Sequence, residues 1–228
     1  MGEDAFGRLA AARVAVFGVG GVGGWCAEAL VRSGVRRLTL VDDDVVAASN
    51  TNRQRQANPS TVGRPKVEAL REMLLETMPD AEIAARAERY APGNAAAFDG
   101  LLGACDFVID AIDSVECKAH LIADCTARRN AGLRIFSSMG AAFRFDPTRI
   151  RTAPFDKVKG DGLARALRNR FRRDGVPLPR HICVFSEEPP MCGSGGMADE
   201  KGSIMPVTCA FGMALASLVV SAARESAA

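Results

Sequence analysis

The chain has 228 residues, of which 48% are hydrophobic, and its net charge is only +2. This size supports a buried core in an α/β domain, whereas the small net charge argues against a wholly basic surface, so contact with a nucleic acid would need a local patch. Seven cysteines without a C-x-x-C pair indicate a reducing compartment such as the cytoplasm and argue against a structural zinc site.

The first predicted elements are a buried strand over Arg13–Phe17, a tight glycine turn and a helix over 22–32. Glycines let the backbone approach a phosphate or ribose closely, and a helix N-terminus offers free N–H groups. Such a turn is found in many nucleotide-binding proteins, but it also occurs as a plain strand-to-helix connection. The candidate binding glycines are Gly18, Gly20, Gly21 and Gly23.

A second strand, Arg37–Val41, is followed by Asp42, about twenty residues past the glycines, where a carboxylate can accept hydrogen bonds from ribose hydroxyls. Arg53 and Lys66 then offer cations that suit a triphosphate and that a dinucleotide dehydrogenase does not need. Both could instead be solvated surface charges. Amide side chains that could assist them come from Asn50, Asn52 and Gln54.

The segment DFVIDAIDS predicts a further strand that begins near Asp106 and ends near Asp110. Asp113 follows at the carboxyl end, where open α/β sheets bind ligands. A carboxylate beside a triphosphate is a usual ligand of Mg²⁺. Asp113 could equally cap the helix that follows, because Asp is a favoured N-cap residue.

Strands and helices alternate through the first 140 residues, which predicts an α/β fold with a doubly wound, mainly parallel, Rossmann-like sheet. We expect residues 1–140 to form the nucleotide-binding core and residues 141–228 an attached C-terminal extension with antiparallel strands, together as one continuous domain. The remaining predicted elements are helices over 62–78, 92–102 and 115–130, and strands over 81–87 and 133–138.

After residue 140 the pattern predicts a hairpin, with strands at 142–145 and 149–152 around a turn at Asp146 and Pro147. A basic amphipathic helix is predicted over 163–173. Its arginines suit an RNA phosphate backbone, but such helices are often only solvated. The candidate RNA-binding residues are Arg165, Arg168, Arg172 and Arg173.

The last segments carry two cysteines of interest. Cys192 lies in a glycine- and proline-rich segment, 187–203, which could gate entry to a site, and Cys209 lies in the apolar run 204–223. That run contains many small residues, so we expect a helix packed on the sheet or across a dimer interface rather than a membrane span. We assign neither cysteine a catalytic role and expect His120 and His181 to be structural.

Taken together, these motifs resemble those of the ubiquitin-activating-enzyme-like adenylating superfamily (ThiF/MoeB/HesA): the glycine turn, SNTNRQ, GRPK and the aspartates Asp110 and Asp113. The resemblance implies that Asp42 binds ribose, that Asp113 holds Mg²⁺, and that ATP is bound. Residues implied to contact phosphate are Asn50, Arg53, Gln54 and Lys66, and Asp44 is included among the cofactor-binding residues.

A narrower resemblance covers nearly the whole chain. SNTNRQ, VIDAIDSVECKAHLIADC, DPTRIR, the basic helix and CVFSEE are similar to the bacterial tRNA threonylcarbamoyladenosine dehydratases. This implies an ATP-dependent cyclisation of the modified adenosine in tRNA, a cytoplasmic homodimer, and a sulfur-transfer or redox partner that the sequence does not identify. The alternatives are an activator of a ubiquitin-like sulfur carrier, a nicotinamide dehydrogenase and a non-catalytic nucleotide-binding protein.

One departure concerns an arginine. Relatives usually carry an earlier arginine-bearing segment that reaches the neighbouring subunit's ATP site, whereas this chain opens with MGEDAFGRL. We expect Arg8 or Arg13 to be the only nearby replacements, with Arg13 already part of the first strand.

Overall fold

The computed structural model describes residues 2–191 and 202–225, with the side chains of residues 130 and 131 excepted. A seven-stranded sheet has the order β3-β2-β1-β4-β5-β7-β6. All neighbouring strands are parallel except β6, which runs antiparallel to β7. This confirms the doubly wound, mainly parallel fold. The strands are β1 Arg13–Phe17, β2 Arg37–Val41, β3 Glu82–Arg86, β4 Phe107–Asp110, β5 Arg134–Ser138, β6 Ile150–Pro154 and β7 Ile182–Ser186.

Helices cover both faces of this sheet and create two apolar cores. One core contains residues of α1, α2, α3 and α7, such as Leu30 and Phe211, and the other contains residues of α4, α5 and α6, such as Leu121 and Leu167. Burial on both faces explains the nearly continuous apolar strands. The helices are α1 Glu3–Ala11, α2 Gly23–Arg32, α3 Lys66–Thr77, α4 Asp99–Ala104, α5 Val115–Ala127, α6 Gly162–Arg173 and α7 Met205–Glu225.

Helix α7 contains the apolar run and is long and apolar enough to span a membrane. It packs mainly against α2, and its Val207, Phe211 and Leu215 are fully buried in the first core. A Cβ atom on Gly212 would lie only 2.7 Å from the Val22 carbonyl oxygen, so glycine is required where the two helices touch. The small residues of this run therefore permit close packing onto the domain, as expected from the sequence.

Three predicted helices differ by more than one residue from their predicted boundaries, and one of them, α5, ends at Ala127 rather than at residue 130. Helix α3 begins at Lys66 rather than at residue 62, because Gly63 has a φ of +85° and Pro65 is extended. The predicted helix over 92–102 is a 3₁₀ segment, Pro92–Phe98, followed by α4.

The hairpin predicted around Asp146 is wrong. Only its second half is a strand, β6, which pairs with β7 in the register Thr152 to Val184. Residues 142–145 form no strand, because Phe143 has a φ of +59° and Arg144 is buried and bonded to the Ser186 carbonyl. Since β5 neighbours β7, residues on both sides of residue 140 share one sheet, and the division into two parts at that point stays a prediction.

Candidate nucleotide and substrate site

A cavity of about 620 Å³ lies at the carboxyl ends of the central strands. The parallel register sets Phe17 of β1 beside both Val41 of β2 and Asp110 of β4. The order of the strands reverses at β1, and ligands bind in open α/β sheets at such a switch point. The segments that follow these three strands therefore line one cavity.

The four glycines of the first turn have two different tasks. Gly18 has a φ of +84°, and a Cβ atom there would lie 2.8 Å from the Ala111 oxygen; a Cβ atom on Gly23 would lie 1.8 Å from the Gly18 oxygen. These two positions need glycine for the turn and its packing. Gly20 and Gly21 line the cavity, so they leave its wall open for a ligand.

Asp42 holds this turn from the end of β2. One carboxylate oxygen accepts a hydrogen bond from the Val19 amide at 2.7 Å, and the other accepts one from the Asp44 amide at 2.9 Å. Burial raises the pKa of Asp42, while the two amides act in the opposite direction. The side chain is thereby oriented at the cavity wall.

The two cations singled out in the sequence both line the cavity. Lys66 is buried rather than solvated, and its Nζ lies 2.6 Å from Asp44 Oδ2. Arg53 is partly buried and donates hydrogen bonds to the Ser49 carbonyl at 2.8 Å and to Asn52 Oδ1 at 2.9 Å. Positive charge is therefore concentrated at the cavity wall.

The three amide side chains of this segment are placed differently. Asn50 and Gln54 are buried and line the cavity. Asn52 is exposed and uses its amide nitrogen to donate to the Ser203 carbonyl at 2.9 Å. Asn52 thus connects the SNTNRQ segment to the start of the last segment, and its predicted contact with a nucleotide stays a prediction.

Asp113 lines the cavity from the loop between β4 and α5. Its side chain is exposed, and helix α5 begins at Val115 with Ser114 in the N-cap position. Asp113 thus lies one residue before the cap, where it faces the same space as Arg53 and Lys66.

A buried ion pair beneath this loop was missed in the sequence. Lys118 of α5 and Asp110 of β4 are both 0% exposed, with 2.8 Å between Nζ and Oδ2. Lys118 also donates to the Ile112 carbonyl at 3.1 Å, so it ties down the loop that carries Asp113. Asp110 at the end of a buried strand was a usable signal, because a buried carboxylate requires a partner.

The second wall of the cavity comes from the C-terminal part of the chain. Its lining residues are Ser138, Met139, Gly140, Ala141, Ala142, Leu163, Ser203 and Thr208. Asp161 stabilises this wall by accepting hydrogen bonds from the Gly140 amide at 3.1 Å and the Arg144 guanidinium at 2.9 Å, and its other oxygen caps α6. One carboxylate therefore couples the cavity wall to the start of the basic helix.

Helix α6 has the predicted buried face, which includes Leu167 and Phe171. Among the candidate RNA-binding arginines, Arg165, Arg172 and Arg173 are exposed. Arg168 instead lies over the Phe155 ring and donates to the Val158 carbonyl at 3.0 Å. The structure assigns Arg168 a packing role because its guanidinium satisfies a backbone carbonyl.

The histidines have structural partners. His181 is buried against Phe155, and burial lowers its pKa to about 4. His120 Nδ1 lies 2.8 Å from the Tyr90 hydroxyl. Cys209 is half-buried in α7, and burial raises its pKa, whereas Cys192 lies outside the described residues.

Neither early arginine lines the cavity. Arg8 donates from Nε to the Ala223 carbonyl at 2.9 Å, so it satisfies the end of α7. Arg13 is the first residue of β1, at the opposite end of the strand from the glycine turn. Within this subunit, both arginines thus lie away from the cavity.

Comparison with known proteins identifies this arrangement. A model of the ThiF family matches residues 1–224. The chain belongs to the ThiF family. The tRNA threonylcarbamoyladenosine dehydratase of Bacillus subtilis is 38% identical over 205 residues, which make up 89% of this chain and 78% of that protein. The dehydratase resemblance noted in the sequence is thereby confirmed.

Solved structures agree. The tRNA N6-threonylcarbamoyladenosine dehydratase of Escherichia coli in complex with AMP superposes with a TM-score of 0.90 at 35% identity, covering 99% of this chain and 91% of that one. Its complex with ATP gives a TM-score of 0.89. By contrast, the molybdopterin-synthase adenylyltransferase of E. coli is 37% identical over 51% of this chain and 46% of its own length.

Proposed function

We propose that this protein is an ATP-dependent dehydratase that adenylates the threonyl carboxylate of threonylcarbamoyladenosine in tRNA and closes it to the cyclic form. The observation that carries this is the likeness to the E. coli dehydratase, which extends over 99% of the chain and thus includes both walls of the cavity. We assign ATP to the first wall, which is formed by the glycine turn and the segments that follow β2 and β4, and the modified adenosine to the second wall.

ATP occupies the first wall. Its ribose hydroxyls donate to Asp42, whose carboxylate is already held in place by two backbone amides. The phosphates are held by Arg53 and Lys66, assisted by Asn50 and Gln54, since guanidinium and ammonium groups form charge-assisted hydrogen bonds with phosphate oxygens. Gly20 and Gly21 permit close approach of the phosphates.

The residues present also fit a magnesium ion. Asp113 is an exposed carboxylate at the cavity, and Mg²⁺ is usually held by one or two carboxylates together with phosphate oxygens. The family resemblance assigns the ion to Asp113. When bound, the ion would neutralise charge on the phosphates.

The reaction has two steps. The threonyl carboxylate attacks the α-phosphate in line, and pyrophosphate leaves. A carbamoyl atom of the same substrate then attacks the activated carbonyl, which closes a five-membered ring and releases AMP. The nucleophile is tethered, so proximity supplies much of the acceleration, while Arg53 and Lys66 stabilise charge on the phosphates.

The tRNA backbone is held by the exposed arginines of α6, namely Arg165, Arg172 and Arg173. Helix α6 begins at the cavity, where Leu163 forms part of the second wall.

We also propose a cytoplasmic homodimer. Free cysteines in the described part of the chain suit a reducing compartment, and exposed Met205 and Met213 on α7 suit a subunit contact.

The second candidate, an activator of a ubiquitin-like sulfur carrier, has less support. It shares the nucleotide wall, but the chain has no C-x-x-C pairs, which such activators commonly use to hold zinc. The likeness to the molybdopterin-synthase adenylyltransferase is limited to about half of the chain. The adenylyltransferase and sulfurtransferase uba4 of Aspergillus niger matches 96% of this chain, but at only 30% identity and over 41% of its own length.

Mass spectrometry of tRNA nucleosides tests the proposal. The parent enzyme is incubated with ATP, Mg²⁺ and tRNA that carries threonylcarbamoyladenosine. We expect a loss of one water from the modified nucleoside together with AMP and pyrophosphate. An unchanged nucleoside, combined with pyrophosphate exchange that depends on a carrier protein, would favour the second candidate.

A further inference from the structure

The strained backbone and exposed ring of Phe143 are explained neither by the nucleotide site nor by packing in the core. Its φ is +59°, and no other residue but glycine has a positive φ among residues 2–191 and 202–225. A bulky side chain rarely adopts this conformation, because its Cβ atom crowds the following carbonyl oxygen. Glycine or asparagine would form the same turn with less strain.

Neighbouring segments keep Phe143 in this conformation. Its amide donates to the Gly202 carbonyl at 2.7 Å, and its own carbonyl accepts a hydrogen bond from the Met191 amide at 2.8 Å. Arg144, the next residue, is buried and bonded to Asp161. The backbone is thus fixed on both sides, and strain of this kind is often kept at functional sites.

Phe143 lies next to residues that line the cavity. Ala142, directly before it, and Ser203, directly after Gly202, both line the second wall. A Cβ atom on Gly202 would lie 3.4 Å from the Phe143 ring, so the ring is close to Gly202, yet Phe143 remains 36% exposed. Core packing therefore does not explain why an aromatic residue stands at a strained position.

We propose that Phe143 stacks on an unpaired base of the tRNA anticodon loop, beside the modified adenosine. This inference rests on the proposed function. For the modified adenosine to enter the cavity, its neighbours must pass the rim, and splayed bases of RNA loops commonly stack on aromatic side chains. The exposed arginines of α6, which begins at the same wall, supply charge for the adjoining phosphates.

The test uses an anticodon stem-loop RNA that carries threonylcarbamoyladenosine, with binding measured by fluorescence anisotropy at fixed salt. Phe143→Gly keeps the turn, relieves the strain and removes the ring, so we expect its Kd to rise about tenfold. Phe143→Tyr keeps a stacking ring and should bind within about twofold of the parent. Phe145→Ala, an exposed phenylalanine two residues away, is the matched control and should bind like the parent.

Abasic RNAs identify the stacked base. Removal of the base on one side of the modified adenosine should abolish the difference between the parent and Phe143→Gly. If the full difference persists for abasic sites on both sides, stacking is rejected. Equal losses in Phe143→Gly and Phe145→Ala would also overturn the proposal, since they would indicate a nonspecific apolar contact.

Two further measurements separate the alternatives. Phe143→Gly should melt within a few degrees of the parent and bind ATP equally well; a joint loss of stability and ATP affinity would make the ring a packing residue and overturn the proposal. If the parent itself forms no cyclic product, the proposed function has failed. If the parent forms it and Phe143→Gly binds and reacts identically, only the stacking role has failed.

Discussion

Lys66 and Asp44 form an ion pair at the wall of the nucleotide cavity, with 2.6 Å between Nζ and Oδ2. The two partners differ in exposure, since the Lys66 side chain is 8% exposed and that of Asp44 is 65% exposed. An exposed carboxylate thus holds the buried Lys66 ammonium at the cavity wall. Under the proposed function, a phosphate oxygen of ATP binds to the same ammonium group.

Replacement of Lys66 or Arg53 by alanine should lower the rate of AMP formation about 30- to 1000-fold, because each removes a charge-assisted contact to phosphate in the transition state. Removal of the Lys66 side chain leaves the Asp44 carboxylate without its ion-pair partner. Because this carboxylate is exposed to water, the fold should remain intact. The measurement is AMP release with modified tRNA under saturating ATP.

Arg64→Ala is the matched control for this experiment. Arg64 lies two residues before Lys66, but it is a partly exposed residue that pairs with Glu72 and does not line the cavity. The turnover of the Arg64→Ala variant should stay near that of the parent. Normal turnover in both Lys66→Ala and Arg53→Ala would remove the phosphate-binding role from these residues.

Asp113→Asn should shift magnesium dependence to a much higher concentration or abolish activity, because the amide keeps the side-chain size but loses the charge that Mg²⁺ needs. Activity is measured across a magnesium titration. Glu116→Gln, an exposed acid on the first turn of α5, is the control. A titration of Asp113→Asn that matches the parent's would leave Asp113 without a metal role.

The arginines of α6 should contribute to the salt dependence of tRNA binding. In the combined variant Arg165→Gln, Arg172→Gln and Arg173→Gln, each lost phosphate contact should lower the magnitude of the log–log slope by about 0.7 to 0.9. ATP affinity should be unchanged. Retention of the parent's slope and affinity would make this face a solvated surface.

Arg168 differs from these three arginines because its guanidinium is bonded within the protein, and a separate variant tests its role. Because it donates to the Val158 carbonyl and covers the Phe155 ring, Arg168→Gln should lower thermal stability while leaving the salt slope nearly unchanged. A reduced slope at full stability would restore Arg168 to the RNA-binding set.

Gly212→Ala should destabilise the fold by about 1 to 3 kcal/mol, since the added Cβ atom would lie 2.7 Å from the Val22 oxygen and 2.8 Å from the Cys26 nitrogen. Denaturant unfolding measures the change. Gly100→Ala in α4 is the control: no heavy atom lies within 4 Å of its added Cβ, so it should be neutral or stabilising. Equal effects of the two substitutions would contradict close α2–α7 packing.

His181 should make the fold sensitive to acid. Its pKa is about 4 in the folded chain because of burial, against an ordinary value of 6.5. Between these values the unfolded chain binds a proton that the folded chain does not, so stability falls as pH falls from 6.5 to 4, by about 3 kcal/mol in total.

The check is denaturant unfolding of His181→Gln at several pH values between 4 and 7. This variant should show a flatter stability profile than the parent. An identical profile for His181→Gln and the parent would mean that other groups govern acid unfolding.

Local patterns in the sequence determined the nucleotide wall. The apolar strands, the glycine turn and the positions of Asp42 and Asp113 follow from short-range rules, since parallel strands bring their carboxyl ends to one edge. Within this sheet, β1 and β2 occur at the bounds predicted from the sequence. The order of the motifs was sufficient to predict the family, because each motif lies at a set distance in sequence from the strand that precedes it.

Only the tertiary structure decided how the remaining polar side chains are used. Arg168 and Arg172 look alike in the sequence, but one meets a backbone carbonyl and the other is exposed. Lys118 becomes fully buried because Asp110 at the end of β4 needs a partner. Phe143 interrupts a pattern that predicts a strand, because contacts with residues some 50 positions away hold its backbone. Long-range hydrogen bonds and ion pairs leave no local periodicity, so they could not be predicted from the chain alone.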